Sequence, residues 1–322
     1  MHALFLVLLG AALWPTSSSS NIETLMDNVL VLKVPYGVAT KVLVPLSCGE
    51  AYQNQRVVWK KDGEWIKPPL EGNQVQVEVK EMNGGNYTCH LGPDGDYLNH
   101  TLILIQLDAE NRNVILKEQS SGIGHIQCSA SNYNGSFHCT WKRTELRERA
   151  SVLLVTAERN SENISCEVYA DGSGIHCQED NCPYKEEQHR ISLIVHMYID
   201  SLLEVYNEPF YLRDIVRPDA PPNLSSNKKE FSWSYPDSWE KPDTYFGLQF
   251  QVKVVRKGLS CDNADQIEPH KTQETKYDLH IKYQKYELCV RAQDKHTMGP
   301  FGPWSSCTVN KKGKECVPRQ QP

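Results

Sequence analysis

Cys48, Trp59 eleven residues later, and Tyr87-Thr88-Cys89 constrain the fold more than any other feature of this sequence. Two cysteines so placed can bridge a pair of sheets, and a tryptophan between them can pack on the bridge. A tyrosine two residues before the second cysteine stands where its hydroxyl can reach back across a strand corner. The surrounding residues alternate. Val42, Val44, Leu46 and Cys48 share one face, as do Val75, Val77 and Val79, which is the period of half-buried strands. Turn residues separate these runs, as in Lys61-Asp62-Gly63 and Gly92-Pro93-Asp94-Gly95.

These are the hallmarks of an immunoglobulin-like sandwich, expected over residues 21–107 with a Cys48–Cys89 bridge. Asn83 stands where such a corner usually carries an aspartate, which removes one ion pair but not the fold. The chain is 322 residues long, more than one core usually organises, so two or three domains are expected. Met1 to Leu13 is almost wholly apolar and runs into Pro15, Thr16 and serines, the pattern of a cleaved leader over residues 1–20. It is shorter than the about 20 residues a bilayer span needs. The later apolar run Leu102–Leu107 already contains Gln106, and no lipid-anchor signal closes the sequence. A soluble, secreted, extracellular protein is expected.

Eleven cysteines suit that compartment, and the odd count leaves at least one outside any intrachain pair. Sequons at Asn86, Asn99, Asn134, Asn163 and Asn223 mark expected surface positions for glycosylation. A net charge of −6 points to neither nucleic acid nor an anionic membrane. The basic cluster Lys311-Lys312-Gly313-Lys314 reads as a solvated end, with contact to a polyanion as the alternative.

From Asp108 to Arg217, Cys128 and Cys139 bracket ten residues and Trp141 follows. Cys166 and Cys177 repeat the gap, so Cys128–Cys139 and Cys166–Cys177 are expected as intrachain bridges over an aromatic core. Cys182 follows alone in Glu179-Asp180-Asn181-Cys182-Pro183. Strands are expected at Ile191–Tyr198 and Tyr211–Val216. Prolines 218, 221 and 222 then stiffen a connector. Beyond it, strands are expected at Phe231–Pro236 and Tyr245–Val255, and along Tyr286, Leu288, Val290 and Ala292 with Arg291 facing the other way. Cys261, Cys289, Cys307 and Cys316 permit three pairings, and none is preferred.

Cys-x10-Cys-x-Trp, the proline hinge and Trp304-Ser305 together resemble class I cytokine receptors. The module order without a membrane span, and strings such as Asn132–Cys139, Leu212–Asp219 and Val290–Asp294, are similar to the soluble, receptor-like subunits of the interleukin-12 family. The resemblance implies an all-β chain: an immunoglobulin-like sandwich, then two fibronectin type III-like sandwiches at 108–217 and 218–322. It implies a four-helix-bundle cytokine alpha subunit as partner and a cell-surface receptor chain for the immunoglobulin module, with homodimers also possible. By the same resemblance Glu186 and Asp294 line an acidic pocket for a partner arginine, with Tyr245 as its aromatic wall. The bland alternatives are a solvated Glu186 and a turn-capping Asp294. Cys182 is the expected interchain cysteine, with a free thiol or a bond to the third module as alternatives. The family's stacking box is reduced here: Phe301-Gly302 replace its first Trp-Ser, leaving Arg291 against Trp304, and Gln251 stands at a position where relatives carry a cysteine.

No catalytic motif is present, so an enzyme is excluded at this level. His176, Cys177 and Cys182 are better explained by disulfide chemistry than by a metal, and no cofactor is expected. A heterodimeric cytokine subunit is the favoured reading. A soluble decoy receptor is the alternative, and an adhesion protein is disfavoured by the receptor-type motifs.

Overall fold

The computed structural model describes residues 22–35, 41–80, 82–93, 95–108, 113–119, 124–180, 183–184, 186–227, 230–262, 269–278, 286–309 and 316–318. The expected leader, Cys182 and the Lys311–Lys314 cluster lie outside them. The protein is all-β apart from short helical turns. It divides into two compact units, Met1–Arg112 with Tyr198–Glu204, and Asn113–Met197 with Val205–Pro322.

In the first unit, strands Lys41–Ser47 and Gln74–Lys80 pair antiparallel. Facing them, Tyr97–Asp108 runs beside Gly85–Leu91, which pairs with Val57–Lys61 and then Glu64–Trp65. Alternate residues turn inward because a strand's side chains change face at every step. Val44, Leu46, Val77, Val79, Ile103 and Ile105 meet around the Cys48–Cys89 bridge, with Trp59 buried among them. Trp59 Nε1 is satisfied by the Gly72 carbonyl at 2.9 Å. Lys61 Nζ donates to Asn83 Oδ1 at 2.5 Å, so the asparagine keeps a bond where the ion pair is lost. Gly85 has φ 137°, and a Cβ there would meet the Asp62 carboxylate at 2.6 Å. That carboxylate accepts the Asn86 N–H at 2.8 Å, so the turn depends on the missing side chain.

The second unit opens with strands Ser165–Val168, Gly174–Gln178, Ser136–Trp141 and Ile126–Ser129 in one sheet. Cys128 is joined to Cys139 and Cys166 to Cys177, each pair directly opposite in register. Later in the chain, Leu248–Arg256 and Tyr286–Asp294 form the long central pair of a five-stranded sheet. There Cys261 is joined to Cys289, and Cys307 to Cys316.

Several local expectations are corrected. Tyr211–Val216 is not a strand: Leu212–Ile215 makes a helical turn after the strand Leu202–Phe210. Its first N–H groups are bound by the Glu187 carboxylate, which satisfies donors a helix start leaves open. The strand expected from Tyr245 begins at Leu248, because the Tyr245 and Phe246 N–H groups close a turn onto the Pro242 carbonyl. The strand expected over Phe231–Pro236 is confined to Glu230–Ser232. Along Tyr286–Asp294 both faces are buried, with Arg291 the least so. Glu287 is accommodated there by the Thr308 hydroxyl at 2.9 Å.

Candidate functional site

An ion cluster inside the second unit fixes the loop on which the candidate site is built. Arg159 donates to Glu187 Oε1 at 2.6 Å, to Glu179 Oε2 at 2.9 Å and to the His189 carbonyl at 3.1 Å. All three charged side chains are buried. Burial works against the Arg159 charge, but its hydrogen bonds to Glu179 and Glu187 outweigh it and hold its pKa above the ordinary value. Burial also pushes Glu179 up, with Arg159 opposing. Glu187 further binds the Leu212 and Arg213 N–H groups, and Arg213 Nη1 returns to the Glu187 carbonyl at 2.8 Å. The segment between Glu179 and His189, in which Cys182 falls, is therefore clamped near both ends.

Between the clamps, Tyr184 is 45% exposed and lies edge-on to Phe246, with ring centroids 5.6 Å apart. Glu186 is exposed, and its Oε1 accepts the Tyr245 hydroxyl proton at 2.7 Å. That bond, followed by desolvation, pushes the Tyr245 phenol up to about 12. The bond is complete below the ordinary phenol pKa near 10 and is lost as pH rises through about 12. A spectrophotometric titration of Tyr245→Phe is expected to lack one phenol that ionises near 12 in the parent. An unchanged late titration would place that proton elsewhere.

The structure thus brings Glu186 and Tyr245 together, but Asp294 takes another position. Asp294 is fully buried. Its Oδ1 accepts the His296 and Thr297 N–H groups at 2.6 and 3.0 Å, and its Oδ2 accepts the Tyr133 hydroxyl at 3.1 Å. Of the two readings of Asp294, this geometry is that of the turn cap, and the carboxylate also orients Tyr133. Burial is the largest cause pushing the Tyr133 phenol up. Tyr133 also packs against Trp239 and Phe246 at 5.9 and 6.0 Å, and Asn132 Nδ2 reaches the Ser238 carbonyl at 2.7 Å. Sequence reading missed Tyr133, Arg159 and Glu187, since burial of a polar residue leaves no periodic mark.

Arg291 stacks between Phe301 and Trp304, at 4.5 and 4.3 Å from the two ring centroids. Phe301 therefore supplies the rung expected to be missing. Gln251 accepts from Arg291 Nε at 2.6 Å. A second stack places Arg213 over Tyr211 at 3.9 Å. Asn86, Asn134, Asn163 and Asn223 are exposed, whereas Asn99 is half-buried and its amide donates to the Cys48 carbonyl at 3.4 Å. Cys177 is bonded to Cys166, and His176 meets the Ser136 hydroxyl at 2.9 Å. Among the described residues no group of His, Cys, Asp and Glu is placed to hold a metal ion.

The family described as "Cytokine interleukin-12p40 C-terminus" matches residues 123–199. Interleukin-12 subunit beta of Homo sapiens is 32% identical over 296 residues, covering 84% of this chain and 88% of that protein. The Papio anubis protein of the same name is 30% identical with the same coverage, and that of Sus scrofa is 28% identical over 92% of this chain and 96% of its own. The chain belongs to the interleukin-12 subunit beta family. Membership makes it a cytokine subunit and not an enzyme. Among the described residues no helix is long and apolar enough to cross a membrane. The interleukin-12 beta match over residues 123–199 takes in Arg159, Glu179 and Glu187, which clamp the loop, together with Tyr133 and Glu186.

Proposed function

We propose that this chain is a secreted, receptor-like subunit that holds a four-helix-bundle alpha subunit on the face formed by Tyr184, Glu186 and Tyr245. Cys182 makes the interchain disulfide, and the immunoglobulin-like module at 21–107 engages a cell-surface receptor chain on immune cells. The modules at 108–217 and 218–322 together form the grip. The observation that carries this reading is the clamped loop. Arg159, Glu179 and Glu187 fix the backbone on either side of Cys182 while Glu186 and Tyr245 meet at the surface. Fixed flanks lower the entropy spent on docking, and tyrosine with a carboxylate suits an inserted arginine. Five disulfides among the described residues use ten of the eleven cysteines, which leaves Cys182 over. Asp294 acts on this face by positioning Tyr133, not by touching the partner.

Co-expression with helical alpha subunits and non-reducing electrophoresis tests the proposal. Cys182→Ser is expected to abolish the high-mass band yet leave a heterodimer on gel filtration, because the non-covalent contacts remain. Glu186→Lys is expected to reduce heterodimer yield with Cys182 intact, by placing a cation opposite the partner's arginine. Normal secretion of Glu186→Lys alone would show that the variant folds. Undiminished assembly would rule this face out, and the absence of any disulfide-linked partner would favour capture of finished cytokines instead.

A further inference from the structure

The outer face of the first unit's sheet carries a strip of rings that the proposed function does not use. Trp65, Lys60, Thr88 and His100 lie in one register row across four strands, and His90 with Tyr97 form the next. Trp65 is 41% exposed and Tyr97 55%. The rings touch in sequence: Trp65 to His90 at 5.8 Å, His90 to Tyr97 at 6.0 Å, and Tyr97 to His100 at 6.4 Å. Polar atoms are interleaved with them. Thr88 Oγ1 meets His90 Nε2 at 3.0 Å, the Tyr97 hydroxyl meets His100 Nδ1 at 2.7 Å, and Lys60 Nζ lies 4.3 Å over Trp65.

This mixture suits one kind of ligand. The negative face of an aromatic ring attracts weakly positive C–H groups, which a pyranose presents on its flat side. Imidazole, hydroxyl and ammonium groups between the rings match its hydroxyls. Burial, then the nearby Lys60, lowers the His90 pKa, leaving a ring that both donates and accepts. A protein-binding patch would be more apolar at its centre and poorer in lysine.

The chain itself supplies a saccharide at this place. Asn86, in the sequon Asn86-Tyr87-Thr88, is exposed and lies on the same face, one alternation before Thr88. It is therefore about 7 Å along the strand from the Trp65–His100 row and about 14 Å from the His90–Tyr97 row. We propose that Trp65, His90, Tyr97 and His100 form a saccharide-stacking platform whose occupant is the N-glycan of Asn86. The glycan covers an aromatic surface that would otherwise face solvent, and its first sugars are held against the sheet. Asn99, whose amide is engaged inside the domain, is not its source.

Hydroxyl-radical footprinting with peptide mass spectrometry tests this on the secreted full chain before and after enzymatic deglycosylation of the folded protein. Oxidation of Trp65 and Tyr97 is expected to rise several-fold on deglycosylation. The Asn86→Gln variant is expected to show the deglycosylated level, while Asn163→Gln keeps the protected one. Peptide mapping that finds Asn86 unmodified overturns the proposal at its first step. A glycan at Asn86 without protection of the rings overturns the stacking itself. Protection that survives in Asn86→Gln would assign the strip to a protein partner or a second copy instead.

Discussion

Arg159→Met is expected to cost about 3–5 kcal/mol and to reduce secretion sharply, because it leaves two buried carboxylates without their cation. Glu187 would keep the Leu212 and Arg213 N–H groups, and the exposed side of Arg213 lies near, its Nη1 3.9 Å from Glu187 Oε2. Glu179 has no such second support among the described contacts beyond the loop itself. The loss should therefore be felt first in the segment between Glu179 and His189. Hydrogen exchange there is expected to quicken more than in the strand Leu248–Arg256. Any protein that is secreted should also form less disulfide-linked heterodimer, since the loop carrying Cys182 is released. A triple variant, Arg159→Met with Glu179→Met and Glu187→Gln, is expected to recover part of the stability. Methionines replace the ion pair with apolar packing, and glutamine keeps an acceptor for the helical turn. A melting temperature unchanged in Arg159→Met would show that the cluster contributes nothing to the fold.

Trp304→Ala is the second large effect, with an expected loss of about 3–5 kcal/mol from truncating a buried tryptophan. Trp304 packs with Val255, Cys261, Cys289 and Leu259, and its Nε1 donates to Asp262 Oδ1 at 3.0 Å. Its ring also carries one side of the Arg291 stack. Arg291→Met removes the two cation–π contacts, each worth about 0.5–2 kcal/mol, but keeps most of the apolar packing. It should therefore be the milder change. The order matters more than either value. If Arg291→Met destabilises more than Trp304→Ala in thermal unfolding, charge stacking and not burial holds this corner. Neither residue belongs to the Tyr184–Glu186–Tyr245 face, so heterodimer formation should fall only in proportion to the folded protein secreted.

Much of the architecture was legible in the sequence because its signals are local and repeat. Alternating valines, the Cys48–Trp59–Cys89 spacing and the two ten-residue cysteine gaps each report a contact whose geometry follows from strand period and register. The resemblance to cytokine receptors, not the strand pattern, named Arg291 and Trp304 as stacking partners. The pairing among Cys261, Cys289, Cys307 and Cys316 was not legible, because four cysteines permit three connectivities until the fold brings two of each together. Only the tertiary structure placed Phe301 as the second rung on Arg291, and set the Glu187 carboxylate at the start of the helical turn Leu212–Ile215.

What only the tertiary structure decided is which acids face water. Glu186 and Glu187 are neighbours of identical chemistry, yet one is exposed against Tyr245 and the other is buried against Arg159. Asp294, at a strand end where a pocket carboxylate was expected, is buried beneath Tyr133. Desolvating a carboxylate is tolerable only where a cation or several N–H groups meet it, and those partners come from residues up to 161 positions away in the sequence. The sequence by itself determined the class of fold and the kind of protein. The fold, by bringing distant donors together, decided which of its polar residues were left at the surface.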